Sequence, residues 1–117
     1  MTVRIEMVTI DCEDPRRLAE FWAPALELDV LADYGGEFVL LGRPGESPNV
    51  GLQKVPEPRV GKNRVNFYLH GEPRAAAAER MVGLGAKILT EHAMPGLAWI
   101  VLADPEGNEF CIGEHTD

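Results

Sequence analysis

Cysteine is scarce in this sequence, which has only Cys12 and Cys111 among its 117 residues. Two cysteines are too few for a disulfide-stabilised scaffold, and their separation does not match the short spacing of metal-binding cysteine motifs. The sequence therefore predicts a fold that is stabilised by burial of apolar side chains and needs no cross-links.

Positive charge is also scarce. Eleven lysines and arginines stand against 19 aspartates and glutamates, which gives a formal net charge of −8. The basic residues form no cluster that would reverse this balance locally. Because an acidic protein is repelled by a nucleic-acid backbone and by an anionic membrane surface, we expect neither as a partner.

Long apolar runs are missing as well. No stretch approaches the roughly 20 apolar residues of a membrane-spanning helix, and the first residues do not follow the basic-then-apolar pattern of a secretion signal. These absences predict a cytoplasmic protein. What is present is a hydrophobic content of 45%, which is enough for one compact domain with its own core.

The first half of the chain combines strand patterns with one helix. Val3–Cys12 alternates apolar and polar residues, as a half-buried strand does. Asp14-Pro15 predicts a helix start, because aspartate is a good N-cap and proline is tolerated in the first turn. Pro24 predicts a kink or an early end of this helix. Three more strands are predicted, over Leu28–Tyr34, Glu37–Leu41 and Asn49–Lys54.

The second half repeats this order after the proline-containing linker Pro56–Lys62. A strand is predicted over Asn63–His70, followed by a helix that Glu72-Pro73 opens and by a strand over Ala86–Glu91. The last two strands form a hairpin around the turn residues Asp104-Pro105-Glu106-Gly107. The sequence thus predicts one domain of two βαβββ modules, over about residues 1–55 and 63–117.

Several segments resemble the vicinal oxygen chelate superfamily, and more narrowly its small glyoxalase-like and bleomycin-resistance-like proteins. The similarity covers nearly the whole chain and is carried by the order of elements together with the segments Met7–Pro15, Phe21-Trp22, Gly61–Arg64 and Asp104–Phe110. The resemblance implies an α+β fold in which two βαβββ modules form curved mixed sheets around a concave cavity, with the helices outside. It also implies a homodimer.

Strand alternation gives this implied cavity a lining. If the apolar members of each strand face the helices, the intervening residues face the cavity, because successive side chains point to opposite sides of a sheet. Aromatic residues at the mouth would offer stacking surfaces to a planar ligand. The predicted ligand-binding residues are Met7, Thr9, Asp11, Phe38, Gln53, Asn66, Tyr68, His70, Trp99, Glu109 and Cys111.

Superfamily members that bind a divalent metal take His, Gln and Glu ligands from defined strand positions. The resemblance places those positions at Met7, Gln53, Asn66 and Cys111. A thioether, two neutral amides and a lone thiol lack the charged oxygens that hard cations prefer and the imidazoles that favour zinc or iron. The sequence therefore predicts no metal and no other cofactor.

Two functions are compatible with this lining. The first is a metal-free binding protein that sequesters an apolar or aromatic metabolite or drug. The alternative is a lyase or isomerase that uses Asp11, Tyr68, His70 or Glu109 as acid or base, or a metal-dependent enzyme if the alignment is displaced. A protein-interaction domain without a small ligand would leave the polar lining unexplained. Cys111 is expected to be a small buried residue and no nucleophile, and His92 and His115, in a predicted loop and tail, are expected to have no role.

Overall fold

The computed structural model describes residues 2–116 and divides into two compact units, of which unit 1 ends at Pro58 and unit 2 begins at Arg59. Unit 1 contains β1 (Met7–Cys12), α1 (Pro15–Leu26), β2 (Asp29–Asp33), β3 (Phe38–Gly42) and β4 (Asn49–Lys54). Unit 2 contains β5 (Tyr68–Leu69), α2 (Arg74–Leu84), β6 (Lys87–Met94), β7 (Leu97–Ala103) and β8 (Glu109–His115). Neither α1 nor α2, the helices of this described part, is long and apolar enough to span a membrane.

Each unit is a four-stranded mixed sheet with one helix. The strand order is β1-β4-β3-β2 in unit 1 and β5-β8-β7-β6 in unit 2. In both, the first strand runs parallel to the last, and the other neighbours are antiparallel. The two units therefore share one βαβββ topology, and the predicted α+β fold is confirmed.

Helix α1 begins where the sequence predicts. The Asp14 carboxylate accepts a hydrogen bond from the Arg17 backbone N–H at 3.2 Å, and Pro15 follows this N-cap. The early end predicted at Pro24 is wrong, because α1 continues to Leu26 and is capped by Glu27 in the left-handed conformation (φ 54°). Pro24 lies in the last turn, where its missing N–H removes a single bond close to the helix end.

The core of each unit lies between its helix and one face of its sheet. In unit 1, α1 buries Leu18, Phe21 and Trp22, and the two aromatic rings meet edge to face at 4.9 Å. In unit 2, α2 contributes the smaller residues Ala77, Ala78 and Met81. The buried sheet residues on these faces are Val39, Leu41, Val50 and Leu52 in unit 1, and Ile100, Leu102, Phe110 and Ile112 in unit 2.

Strand β5 is much shorter than the predicted strand over Asn63–His70. The amide side chain of Asn63 donates to the Glu109 carbonyl at 3.0 Å and accepts from the Glu109 N–H at 2.7 Å. It thereby makes the pair of bonds that a strand backbone would otherwise supply at this edge of β8. Val65, which the alternation predicts on the helix side, is 76% exposed.

Strand β6 is longer than predicted. It runs through Met94, so His92 lies in a strand opposite Trp99 and the predicted loop position is wrong. All eight residues of β6 are exposed. An exposed edge strand shows little apolar alternation, and this explains why the last three residues of β6, 92–94, are predicted as a loop from the sequence.

Candidate functional site

In each unit the sheet face opposite the helix, here called the helix-free face, carries most of the residues predicted to bind a ligand; Asn66 and His70 lie outside the strands. Burial alternates along β7 as expected: Ala98, Ile100 and Leu102 are buried, and the other residues of the strand are half-buried. Unit 1 brings together Met7, Thr9, Asp11, Phe38 and Gln53, whereas unit 2 holds Asn66, Tyr68, His70, Trp99, Glu109 and Cys111.

The helix-free face of unit 1 has an apolar centre built over Gly51. A methyl group at Gly51 would lie 2.7 Å from Cζ of Phe38 and 2.9 Å from Sδ of Met7. Both side chains therefore lie across the glycine, Met7 from β1 and Phe38 from β3, because only a residue without Cβ leaves this space. Tyr34 extends the aromatic surface, with its ring centroid 6.1 Å from that of Phe38.

A polar row borders this apolar centre. Asp11, Gln53 and Phe38 are direct cross-strand partners on β1, β4 and β3, and Thr9 is the partner of Gly51. Asp11, Thr9 and Gln53 are exposed. The face therefore combines an apolar floor with hydrogen-bonding groups on one side, which is the usual composition of a small-molecule site.

The helix-free face of unit 2 is ordered in cross-strand rows. One row contains Tyr68, Cys111 and Val101, and the next contains Gly113 and Trp99. The Tyr68 hydroxyl lies directly over Gly113, in the space that a side chain at that position would fill. Glu109 and its partner Ala103 form a third row. The structure therefore brings Tyr68, Trp99, Glu109 and Cys111 onto one surface.

Two predicted residues of unit 2 lie outside its strands. Asn66 precedes β5 and His70 follows it, and both are exposed. The tyrosine between them is the member of the predicted set that β5 itself holds in register with β8.

Sequence reasoning missed His92, which belongs to the same surface. Its ring stacks on that of Trp99, with centroids 5.2 Å apart and an interplanar angle of 25°. His92 Nε2 also lies 3.0 Å from the Thr90 hydroxyl oxygen, within hydrogen-bond distance. The available clue was the hairpin itself, since extending β6 to the Pro95-Gly96 turn would have paired His92 with Trp99.

Burial raises the pKa of the Cys111 thiol, and the negative charge of Glu109 acts in the same direction, whereas Lys62 opposes the shift. A cysteine with a raised pKa stays in the thiol form near neutral pH, and the thiol is a far weaker nucleophile and metal ligand than the thiolate. The structure places Cys111 half-buried in unit 2 and Cys12 buried in unit 1, and neither cysteine forms a disulfide.

The four positions that correspond to metal ligands do not fit a divalent ion. Met7 turns its sulfur onto Gly51 beside the Phe38 ring, and burial raises the pKa of the Cys111 thiol, which disfavours the thiolate that a metal would need. Gln53 and Asn66 offer only neutral amides. Among residues 2–116, no group of three or more His, Cys, Asp or Glu side chains is arranged to hold a metal ion.

Asp104, the one buried carboxylate among the described residues, has a structural role. Its Oδ1 accepts hydrogen bonds from the backbone N–H groups of Glu106 and Asn108, each at 2.9 Å. These bonds close the turn between β7 and β8, in which Gly107 has φ 86°. The turn therefore sets the register of β8 and with it the positions of Glu109, Cys111 and Gly113.

Comparisons with known proteins place this geometry in context. The sequence model of the glyoxalase-like domain matches residues 7–113. No curated protein matches the chain significantly.

Solved structures of similar fold include a glyoxalase/bleomycin resistance protein/dioxygenase family enzyme from Burkholderia phytofirmans PsJN (TM-score 0.77, 17% identity, covering 95% of this chain and 98% of that chain). A glyoxalase/bleomycin resistance protein/dioxygenase superfamily member from Sphaerobacter thermophilus DSM 20745 is similar at a TM-score of 0.73 and 20% identity, over 97% of this chain and 98% of that chain. Lactoylglutathione lyase from Agrobacterium tumefaciens is similar at a TM-score of 0.72 and 18% identity, over 97% and 94%.

Proposed function

Because this chain belongs to the glyoxalase-like domain family, we propose that it uses the helix-free faces of its sheets to bind a small apolar or aromatic molecule, without a bound metal. The observation that carries this proposal is the arrangement around Gly51. A phenyl ring and a thioether lie over a residue without a side chain, and hydrogen-bonding groups stand beside them. Such an apolar floor with few polar groups is suited to a small organic ligand.

Acid–base catalysis is less well supported than binding. Of the candidate groups, Asp11 lies in unit 1, and Tyr68, His70 and Glu109 lie in unit 2. His70 follows the end of β5 and is exposed, so no strand pairing orients its ring toward Tyr68 or Glu109. General acid–base catalysis needs groups held within hydrogen-bond reach of one reacting atom. Among residues 59–116, His70 lies outside the strand pairs that hold Tyr68 and Glu109 in register.

The proposal is tested with N-phenyl-1-naphthylamine, a neutral aromatic dye whose fluorescence rises in apolar surroundings. We expect a saturable rise with about one dye per chain and a dissociation constant in the micromolar range. A rise that does not saturate, or no rise, contradicts the proposal.

Two glycine-to-alanine variants locate the binding surface. Gly51→Ala adds a methyl group that would meet the ends of the Phe38 and Met7 side chains, so both side chains must move. We therefore expect dye binding to be weaker by about fivefold or more. Gly83→Ala is the matched control, because a methyl group there meets nothing within 4 Å. Equal dye affinity in both variants would contradict binding at the Gly51 surface.

A further inference from the structure

The apolar floor on the helix-free face of unit 1 is an open surface. The ends of the Phe38 and Met7 side chains fill the space above Gly51, so a ligand would rest on the outer sides of these two residues. Met7 is 42% exposed, and Tyr34, whose ring neighbours that of Phe38, is 63% exposed. Because the face of an aromatic ring carries partial negative charge, this floor attracts cations as well as other rings.

Asp11 lies at the polar border of this floor. It is exposed and pairs with Gln53, whose partner on the other side is Phe38. Its carboxylate has no hydrogen bond or ion pair with another residue of the described range 2–116. Because Thr9 is the partner of Gly51, Asp11 follows two residues further along β1, and its Cα is about 8 Å from the centre of the floor. An ammonium group on a short alkyl chain can therefore reach the carboxylate from a ring on the floor.

The charged groups around this face leave the charge of Asp11 uncompensated. Among the residues that β1–β4 place on the helix-free face, the charged ones are Asp11 and Asp29, and Asp29 lies on the far edge strand, β2. Lys54, the last residue of β4, alternates to the other face and lies 3.8 Å from the Glu37 carboxylate. The strands therefore give this face negative charge only, and the formal net charge of −8 adds to its repulsion of anions.

We infer that the helix-free face of unit 1 selects cationic aromatic molecules, whose ring rests on the apolar floor and whose protonated amine pairs with the Asp11 carboxylate. The inference rests on the proposed function, since it specifies the charge of the molecule that this same surface binds. Gln53 lies between Asp11 and Phe38 in the cross-strand row, and its amide oxygen can accept a second hydrogen bond from the ammonium group.

Two compounds of nearly the same shape test this charge preference. 2-(1-Naphthyl)ethylamine is protonated at pH 7, and 2-(1-naphthyl)ethanol is neutral. Each is titrated against the protein with bound N-phenyl-1-naphthylamine, and the fall in dye fluorescence gives its dissociation constant. Because an exposed ion pair contributes little free energy, we expect the amine to bind about three- to fivefold more tightly than the alcohol at low ionic strength. In about 0.5 M sodium chloride, screening should reduce this preference to less than about twofold.

The deciding variant is Asp11→Asn, which keeps the shape of the side chain and removes its charge. It should lower the affinity for the amine to that for the alcohol and change alcohol binding less than about twofold. Glu20→Gln, at an exposed position of α1, removes one negative charge elsewhere and should leave the preference for the amine in place. A preference that survives in Asp11→Asn, or that Glu20→Gln abolishes equally, overturns the inference.

The two proposals fail in distinguishable ways. If the dye binds saturably but the parent protein binds the amine no more tightly than the alcohol, the charge preference is refuted and the proposed function stands. If neither the dye nor either naphthyl compound binds, both are refuted.

Discussion

Two glycines show how single residues shape the candidate surfaces. Gly51 gives space to Phe38 and Met7, and Gly113 gives space to the Tyr68 hydroxyl. Neither glycine has a positive φ, so the requirement is for space and not for an unusual backbone conformation. A residue without a side chain can thus decide where aromatic rings lie on a sheet.

At the residue scale, helix-side and helix-free positions should respond differently to substitution. Phe110, which is 1% exposed, packs on the helix side, and Phe110→Ala should cost about 3 to 5 kcal/mol of unfolding free energy. Asn66→Ala removes an exposed amide and should change stability by less than about 1 kcal/mol. Urea unfolding of both variants checks this, and similar losses would show that the faces are assigned wrongly. Phe67, an apolar residue of the strand predicted over Asn63–His70, is half-buried and lies outside β5, so it is less suitable than Phe110 for this test.

Helix α2 illustrates how one element completes another. Its N-cap, Pro73, provides no side-chain acceptor. Glu114 on β8 takes this role: its Oε1 accepts from the Arg74 backbone N–H at 3.1 Å and from the Arg74 guanidinium at 2.6 Å. A carboxylate at a helix N-terminus also interacts favourably with the helix dipole. The helix is therefore fixed to the last strand of its own sheet.

At the element scale, this contact predicts a pH dependence of stability. The backbone N–H of Arg74, and then its guanidinium, hold the pKa of Glu114 below the ordinary value of 4.5. A carboxylate whose pKa is lowered in the folded state stabilises the fold at pH values above its unfolded-state pKa. This stabilisation is lost as the pH falls through the folded-state pKa. Glu114→Gln should therefore be less stable than the parent at pH 7, and the difference should shrink below about pH 4.5.

Urea unfolding at a series of pH values measures this difference. Glu79→Gln, at an exposed position of α2, is the control for loss of one negative charge. A gap between Glu114→Gln and the parent that stays constant from pH 7 to pH 4 would exclude the carboxylate as its source.

On the scale of the whole molecule, the same topology occurs twice and the two copies carry different chemistry. Unit 1 presents a phenyl ring and a thioether beside an exposed carboxylate and amide, and unit 2 presents a stacked indole and imidazole beside a phenol. Repetition of a fold thus does not repeat its surface, because function resides in side chains that the topology leaves free to vary. The homodimer implied by the family resemblance remains a prediction.

The residues at the four metal-ligand positions lead to a prediction about the metal content of the protein. Because Met7, Gln53, Asn66 and Cys111 supply no charged oxygen or imidazole, protein purified without chelator should contain no stoichiometric divalent ion. Addition of EDTA should leave the melting temperature unchanged, since no folding free energy depends on a metal. Elemental analysis that finds about one zinc, nickel, manganese or iron per chain would refute this expectation.

Local sequence was sufficient for the repeated βαβββ order, the start of α1 at Pro15 and the limits of β4, because caps, turn residues and alternation act between near neighbours. Prediction from local sequence failed where a residue distant in sequence makes the contacts that a neighbouring strand residue would otherwise make. Asn63 replaces strand backbone by bonding to Glu109, 46 positions away, and this shortened β5 in a way that no periodicity could reveal. The stack of His92 on Trp99 likewise depends on cross-strand register. Such contacts are decided by tertiary structure, because hydrogen bonds and ring packing between strands depend on which strands become neighbours and in which register.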